Sequence, residues 1–146
     1  MVLSILVFSA FPVIAQDNDA ALCEKGTNLN KERKSAEAIE CYQKSIELKP
    51  DHFKWLNKGA VYDAQNMFKE ALACYDKAIE LCRDYPNAWY NKGLALYALG
   101  RYEEAAETFK KCRSLLKLDN HEFRSVLDKT IAKAANVIKT KKSTKK

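Results

Sequence analysis

Histidine is nearly missing from this 146-residue chain, which holds only His52 and His121. Both fall beside expected turns and read as helix-start residues rather than as bases or metal ligands. Glycine and proline are also sparse, at four and three, which suits helices; the four glycines are separated by helical stretches and cannot form a phosphate-cradling loop. The carboxylates fall on solvated helical faces, without the apolar surroundings that would raise a pKa for acid–base work. With no catalytic constellation present, the chain is not expected to be an enzyme, and no cofactor or metal is expected.

A C-x-x-C pair is absent too, although there are five cysteines, at 23, 41, 74, 82 and 112. The interval of 33 from Cys41 to Cys74 equals a repeat period found below, so it carries no metal or redox spacing. Residues at equivalent places in successive repeats stand more than about 7 Å apart, beyond disulfide reach. Small-residue packing is the favoured role, Cys112 above all, and this pulls against an oxidising compartment, where thiols tend to pair.

Residues 2–15, V-L-S-I-L-V-F-S-A-F-P-V-I-A, lack any charge and are too short to span a bilayer, which takes about 20 apolar residues. The segment has the apolar core of a secretory signal, with Val13 and Ala15 placed for cleavage before Gln16, although no basic residue precedes it. A leader over 1–15 and a secreted or periplasmic product are therefore expected; the alternative is an uncleaved apolar segment on a cytoplasmic protein.

Basic charge is confined to one end. The formal net charge is +6, and Lys139, Lys141, Lys142, Lys145 and Lys146 supply five units of it, leaving +1 for the rest. Residues 139–146 read as a basic disordered tail able to make weak contact with an anionic membrane or another polyanion. No aromatic interleaves these lysines and the rest is nearly neutral, so no specific nucleic-acid binding is expected.

What the chain has in quantity is self-similarity. Trp55-Leu-Asn-Lys-Gly59 lies over Trp89-Tyr-Asn-Lys-Gly93, Ala71 over Ala105 and Tyr75 over Phe109, each 34 residues apart. Gly26, Ala38 and Tyr42 make a third copy 33 residues upstream. A period of this size marks a stack of helical hairpins. Glycine inside a helix costs about 1 kcal/mol relative to alanine, so its return at each period needs a packing reason. Gly59 set against Ala71 and Gly93 against Ala105 would let paired helices approach closely. Asp17, Asn18 or Asp19 can cap a first helix ending near Asn30, and Ser35 can cap its partner. Further helices are expected over about 53–65, 69–82, 87–99 and 103–117. Asn66, Tyr85-Pro86-Asn87 and Gly100-Arg101 mark turns, and Glu40 with Lys44 and Glu107 with Lys111 mark solvated faces. The residue missing from the first period falls in or just after Pro50-Asp51. Phe123, Val126, Leu127, Ile131, Ala134, Ala135 and Ile138 trace one more helix, able to cap the open end of the stack.

This pattern resembles the tetratricopeptide repeat (TPR). The family's signature positions fall on Leu22, Gly26, Leu29, Ala38, Tyr42, Ser45 and Pro50, then on Trp55, Gly59, Tyr62, Ala71, Tyr75 and Ala78, then on Trp89, Gly93, Leu96, Ala105, Phe109 and Cys112. Lys58 and Lys92 depart from it by replacing an apolar residue before the glycine, and Arg83 and Lys117 stand where a closing proline would be. The resemblance implies an all-α fold, an α-solenoid of three helix-turn-helix repeats over 17–50, 52–85 and 86–119 with a capping helix over 120–138.

It also implies a protein-interaction module, an adaptor or scaffold whose concave groove, lined by the first helix of each pair, holds a peptide or helix of a protein partner. The groove positions carried over from the family are Phe53, Leu56, Asn57, Ala60 and Asp63, then Asn87, Tyr90, Asn91, Leu94, Tyr97 and Ala98, with Cys23, Thr27 and Asn30 in the first repeat. The alternative for Tyr90 and Leu94 is packing between neighbouring helices. Some members grip acidic chaperone tails with a clamp of lysine, arginine and asparagine. Its places are held here by Cys23, Thr27, Asn57, Asn87 and Asn91, of which only Asn57 matches, so binding of chaperone carboxylate tails is not expected. The reading set against the groove is an electrostatic binder of anionic membrane, nucleic acid or acidic protein acting through the lysine-rich tail.

Overall fold

The computed structural model describes residues 18–117 and 120–144. These form seven helices and no strand among the described residues: α1 (Asp19–Lys31), α2 (Ser35–Leu48), α3 (His52–Ala64), α4 (Phe68–Leu81), α5 (Pro86–Ala98), α6 (Tyr102–Leu115) and α7 (His121–Ser143). The expected leader at 1–15 lies outside the described residues. Each helix from α3 to α6 starts one residue earlier than its periodicity suggests. The shortened period falls where expected, since 49–51 joins α2 to α3 whereas the longer 82–85 joins α4 to α5.

All three hairpins turn in the same way. Arg33, Asn66 and Gly100 have positive φ (61°, 60° and 75°). The next residue's N–H reaches back to a carbonyl in the last turn of the first helix: Lys34 to Leu29, Met67 to Tyr62 and Arg101 to Leu96, at 2.9, 3.0 and 3.0 Å. This left-handed closure satisfies helix-end carbonyls that would otherwise lack donors. It also corrects the capping of α2: Ser35 is its first helical residue, and the cap position belongs to Lys34, which makes no side-chain cap bond. At the start of α1 the cap is Asn18, whose side chain accepts from the Ala21 N–H at 2.7 Å.

The glycines do not face alanines, as the spacing suggested. A Cβ on Gly59 would lie 2.6 Å from the Tyr75 ring, and one on Gly93 would overlap the Phe109 ring. Each glycine admits the partner helix's aromatic, and Ala71 and Ala105 lie fully buried one turn before that ring. The main core unites repeats two and three with the cap, running from Leu56, Tyr75 and Ala78 through Leu96, Phe109 and Cys112 to Leu127. A smaller cluster around Ala38, Tyr42 and Val61 holds the first repeat.

Polar bonds recur with the period. The Ser45 hydroxyl donates to the carbonyl of Asp19, the first residue of α1, and the Cys112 thiol donates to that of Pro86, the first residue of α5. The lysines that depart from the family pattern reach back one repeat, Lys58 to Gln43 on α2 at 2.5 Å and Lys92 to Asp76 on α4 at 2.6 Å. Surface pairing differs from the expected spacing: Glu107 pairs with Lys110 at 2.7 Å, while Lys111 lies over the Trp89 ring.

Helix α7 continues through Ser143, five residues beyond the expected 138. Lys139, Lys141 and Lys142 are therefore helical rather than part of a disordered tail, and Lys145 and Lys146 lie outside the described residues. Lysine is a good helix former and its charge favours a helix C-terminus. No helix among the described residues is long and apolar enough to cross a membrane.

Candidate peptide groove

Antiparallel neighbours pack in order from α1 to α7, and in addition α1 touches α3 and α3 touches α5. The second helices α2, α4 and α6 make no comparable contacts with one another. A stack whose first helices crowd and whose second helices spread curves with α1, α3 and α5 on its inner face.

The structure sorts the expected groove residues into three groups. Phe53 (49% exposed) and Leu94 (36%) present large apolar side chains to solvent, with Asn87 exposed at the start of α5. Asn57, Ala60 and Asn91 are half-buried, and the two asparagines stand one period apart on α3 and α5. The third group turns inward. Leu56 is only 7% exposed and belongs to the main core, which corrects its assignment as a peptide anchor. Tyr90 sits between Phe109 and Phe123, ring centroids 5.9 and 5.2 Å away, and so packs between helices. Tyr97 is half-buried with its ring edge-on to Tyr102 at 4.9 Å. Thr27 is engaged internally, donating to the Cys23 carbonyl and sharing a 2.9 Å hydrogen bond with the Tyr42 hydroxyl.

The lysines of α3 and α5 are committed. Lys54, buried at 6% exposure, donates to the Asp19 carboxylate at 2.6 Å and to the carbonyls of Lys49 and Ser45 at 2.9 and 3.2 Å. That hydrogen bond holds the Asp19 carboxyl below the usual carboxylate range. Lys58 and Lys92, the other cations of α3 and α5, are held by Gln43 and Asp76. Asp63, half-buried on α3, is pushed the other way: burial raises its pKa, and no cation pairs with it among the described residues. Below it the Tyr75 hydroxyl is buried without a hydrogen-bond partner.

One element of the inner face escaped the sequence reading. Lys133 on α7 lies over the Tyr97 ring at 5.9 Å, and Lys141, two turns on, lies 4.4 Å from the centre of the Tyr102 ring. The stripe Lys129, Lys133, Val137, Lys141 has a spacing of four that was visible, but residues after 138 were read as tail.

Comparison with known proteins agrees with this architecture. The family description "Tetratricopeptide repeat" matches residues 20–52 and 86–116, and "TPR repeat" matches 59–100. RNA polymerase II-associated protein 3 of Mus musculus is 34% identical over 119 residues, covering 80% of this chain and 18% of the relative. The Xenopus laevis protein of the same name is 33% identical over 115 residues, covering 77% and 17%. The chain thus spans about a fifth of the length of the curated relatives it matches. Among solved structures, the first TPR of Spaghetti (RPAP3) bound to HSP90 peptide SRMEEVD superposes with a TM-score of 0.67 at 26% identity, covering 80% of this chain and 97% of that one. The TPR2B domain of yeast Sti1 shares the fold, with a TM-score of 0.75 at 24% identity over 81% and 96%.

The peptide-bound relative overturns the expectation that chaperone carboxylate tails are not partners of an array like this one. That expectation counted five side chains on the first helices. A carboxylate can also be held by neutral N–H donors, or by cations on another element, which such a count leaves out. Matched by the repeat description in three segments and built from three hairpins and a cap, the chain belongs to the tetratricopeptide repeat family of protein-interaction modules.

Proposed function

We propose that the inner face of α1, α3 and α5 holds an extended, acidic, carboxylate-terminated peptide of a protein partner, so that the chain acts as an adaptor. The observation that carries this reading is the pair Asn57 and Asn91. Both are half-buried at equivalent places one repeat apart, and neither amide belongs to the buried orphan groups, so both still meet solvent. A carboxamide offers donors and an acceptor together, so it can pair with a peptide backbone or donate an N–H to a carboxylate oxygen. Exposed Phe53 and Leu94 flank them with apolar surface. Likeness to the Spaghetti (RPAP3) domain bound to SRMEEVD supports the acidic character of the ligand.

Fluorescence anisotropy with labelled SRMEEVD tests the reading. Asn57→Ala and Asn91→Ala should each weaken binding about tenfold, the value of one hydrogen bond to a charged or backbone group. Circular dichroism melts should stay near wild type, because both side chains are partly exposed. Wild-type binding in both variants, or no binding by the unmodified chain, would overturn it.

A further inference from the structure

We propose that Lys133 and Lys141 of α7, held over Tyr97 and Tyr102, form a carboxylate-binding corner that receives the acidic side chains of a peptide lying in the groove. This rests on the groove reading above and names cations beside the third hairpin, where the lysines of α3 and α5 are already engaged.

The two tyrosines close the far end of the third hairpin. Tyr97 stands one turn beyond exposed Leu94 on α5, Tyr102 begins α6, and their rings meet edge to face at 4.9 Å and 76°. Helix α7 crosses them with Lys133 and Lys141 on one stripe, their Nζ atoms 5.9 and 4.4 Å from the two ring centres. An ammonium held over a ring is restrained yet keeps its other N–H bonds for an acceptor.

Neither lysine is paired with a carboxylate among the described residues, whereas Arg101 pairs with Glu104, Lys110 with Glu107 and Arg113 with Asp128. Lys54 and Lys92 are likewise paired, and Lys58 is held by Gln43. Lys133 and Lys141 therefore keep their charges available beside the end of α5. Eight residues of helix separate the two by about 12 Å along its axis. Three to four residues of extended chain cover that distance at roughly 3.3 Å each, so the first glutamate and the aspartate of an E-E-V-D sequence, three residues apart, fit it. One turn of α5 separates exposed Leu94 from Tyr97, and this closeness to the groove favours a peptide over a lipid surface or a nucleic acid.

The test uses the full chain with labelled SRMEEVD and with SRMQEVN, in which the first glutamate and the aspartate side chains are neutral, at low ionic strength. Lys133→Gln/Lys141→Gln should weaken SRMEEVD binding about five- to tenfold, the sum of two exposed ion pairs. It should change SRMQEVN binding by less than about twofold, since the side-chain carboxylates it acts on are gone. Lys133→Arg/Lys141→Arg should restore SRMEEVD affinity. Lys139→Gln/Lys142→Gln on the same helix, which removes equal charge without the aromatic contacts, should leave it near wild type. Equal losses from both glutamine pairs would mean bulk attraction only and overturn the proposal. So would equal losses for both peptides, or dependence on Lys133 and Lys141 only in binding to phosphatidylserine vesicles or an oligonucleotide. If Asn57→Ala weakens SRMEEVD and the Lys133/Lys141 pair does not, the corner fails and the groove reading stands; a wild-type chain that ignores SRMEEVD removes both.

Discussion

No Cβ fits between Gly93 on α5 and the Phe109 ring on α6. The same relation holds in the second repeat, where Cβ on Gly59 would lie 2.6 Å from Tyr75, and is looser in the first, where Gly26 would meet Tyr42 at 3.2 Å. Gly59→Ala and Gly93→Ala should therefore each destabilise the fold by about 1 to 3 kcal/mol through overpacking. Gly26→Ala should be near neutral, because alanine's better helix propensity, about 1 kcal/mol, offsets a small ring movement. Urea denaturation of the three variants checks the order; equal losses at all three sites would contradict it.

Arg33 adopts the left-handed conformation that Gly100 adopts two repeats later. For a residue with a Cβ this costs roughly 1 to 2 kcal/mol. Arg33→Gly should raise the urea midpoint, corresponding to a gain in unfolding free energy of about 1 kcal/mol after the extra chain entropy of glycine is counted. Gly100→Ala should lower it, and a destabilised Arg33→Gly would show that the arginine side chain contributes more than its backbone costs.

Asp63 is a carboxylate whose burial raises its pKa above the ordinary 3.8, above the buried Tyr75 hydroxyl. A raised carboxyl pKa favours folding while the group is protonated, below about 3.8, and that contribution is lost as pH rises through the higher folded value. Asp63→Asn, of the same shape and always neutral, should melt above wild type at pH 7, with the gap closing near pH 3. An unchanged or lowered melting temperature at pH 7 would show that the Asp63 charge is favourably solvated.

Much of this architecture could be read from residue spacing, because the period of 33 to 34 fixes where glycine, alanine and aromatic return, and these fix the hairpins. Spacing does not show what each residue faces. Gly93 was set against Ala105 when its contact is Phe109, and Leu56 was placed on the ligand face when it points into the core. Lys58 and Lys92 looked like departures until Gln43 and Asp76 appeared opposite them, since partners on a preceding repeat depend on how hairpins stack. The α7 lysines were missed for another reason: a run rich in lysine reads as solvated chain, and only the rings of Tyr97 and Tyr102 beneath Lys133 and Lys141 reveal that it folds against the third hairpin.

All five cysteines are unpaired, with Cys41, Cys74 and Cys112 buried. Burial pushes the Cys112 thiol up to about 11, so little thiolate is available for reaction at neutral pH. Thiol titration without reductant should find five reactive groups in the unfolded chain and, in the native one, faster reaction at half-buried Cys23 and Cys82. Fewer than five in the unfolded chain would reveal a disulfide.

The central claim, that the inner face of the first helices receives a peptide, is tested most directly by amide chemical-shift mapping of the labelled chain titrated with SRMEEVD. Shifts should concentrate at Asn57, Ala60, Asn91 and Leu94 and extend to Lys133 on α7, with α2 and α4 little changed outside their contacts with α3. No saturable shifts, or shifts centred on the outer faces of α2 and α4, would contradict the account.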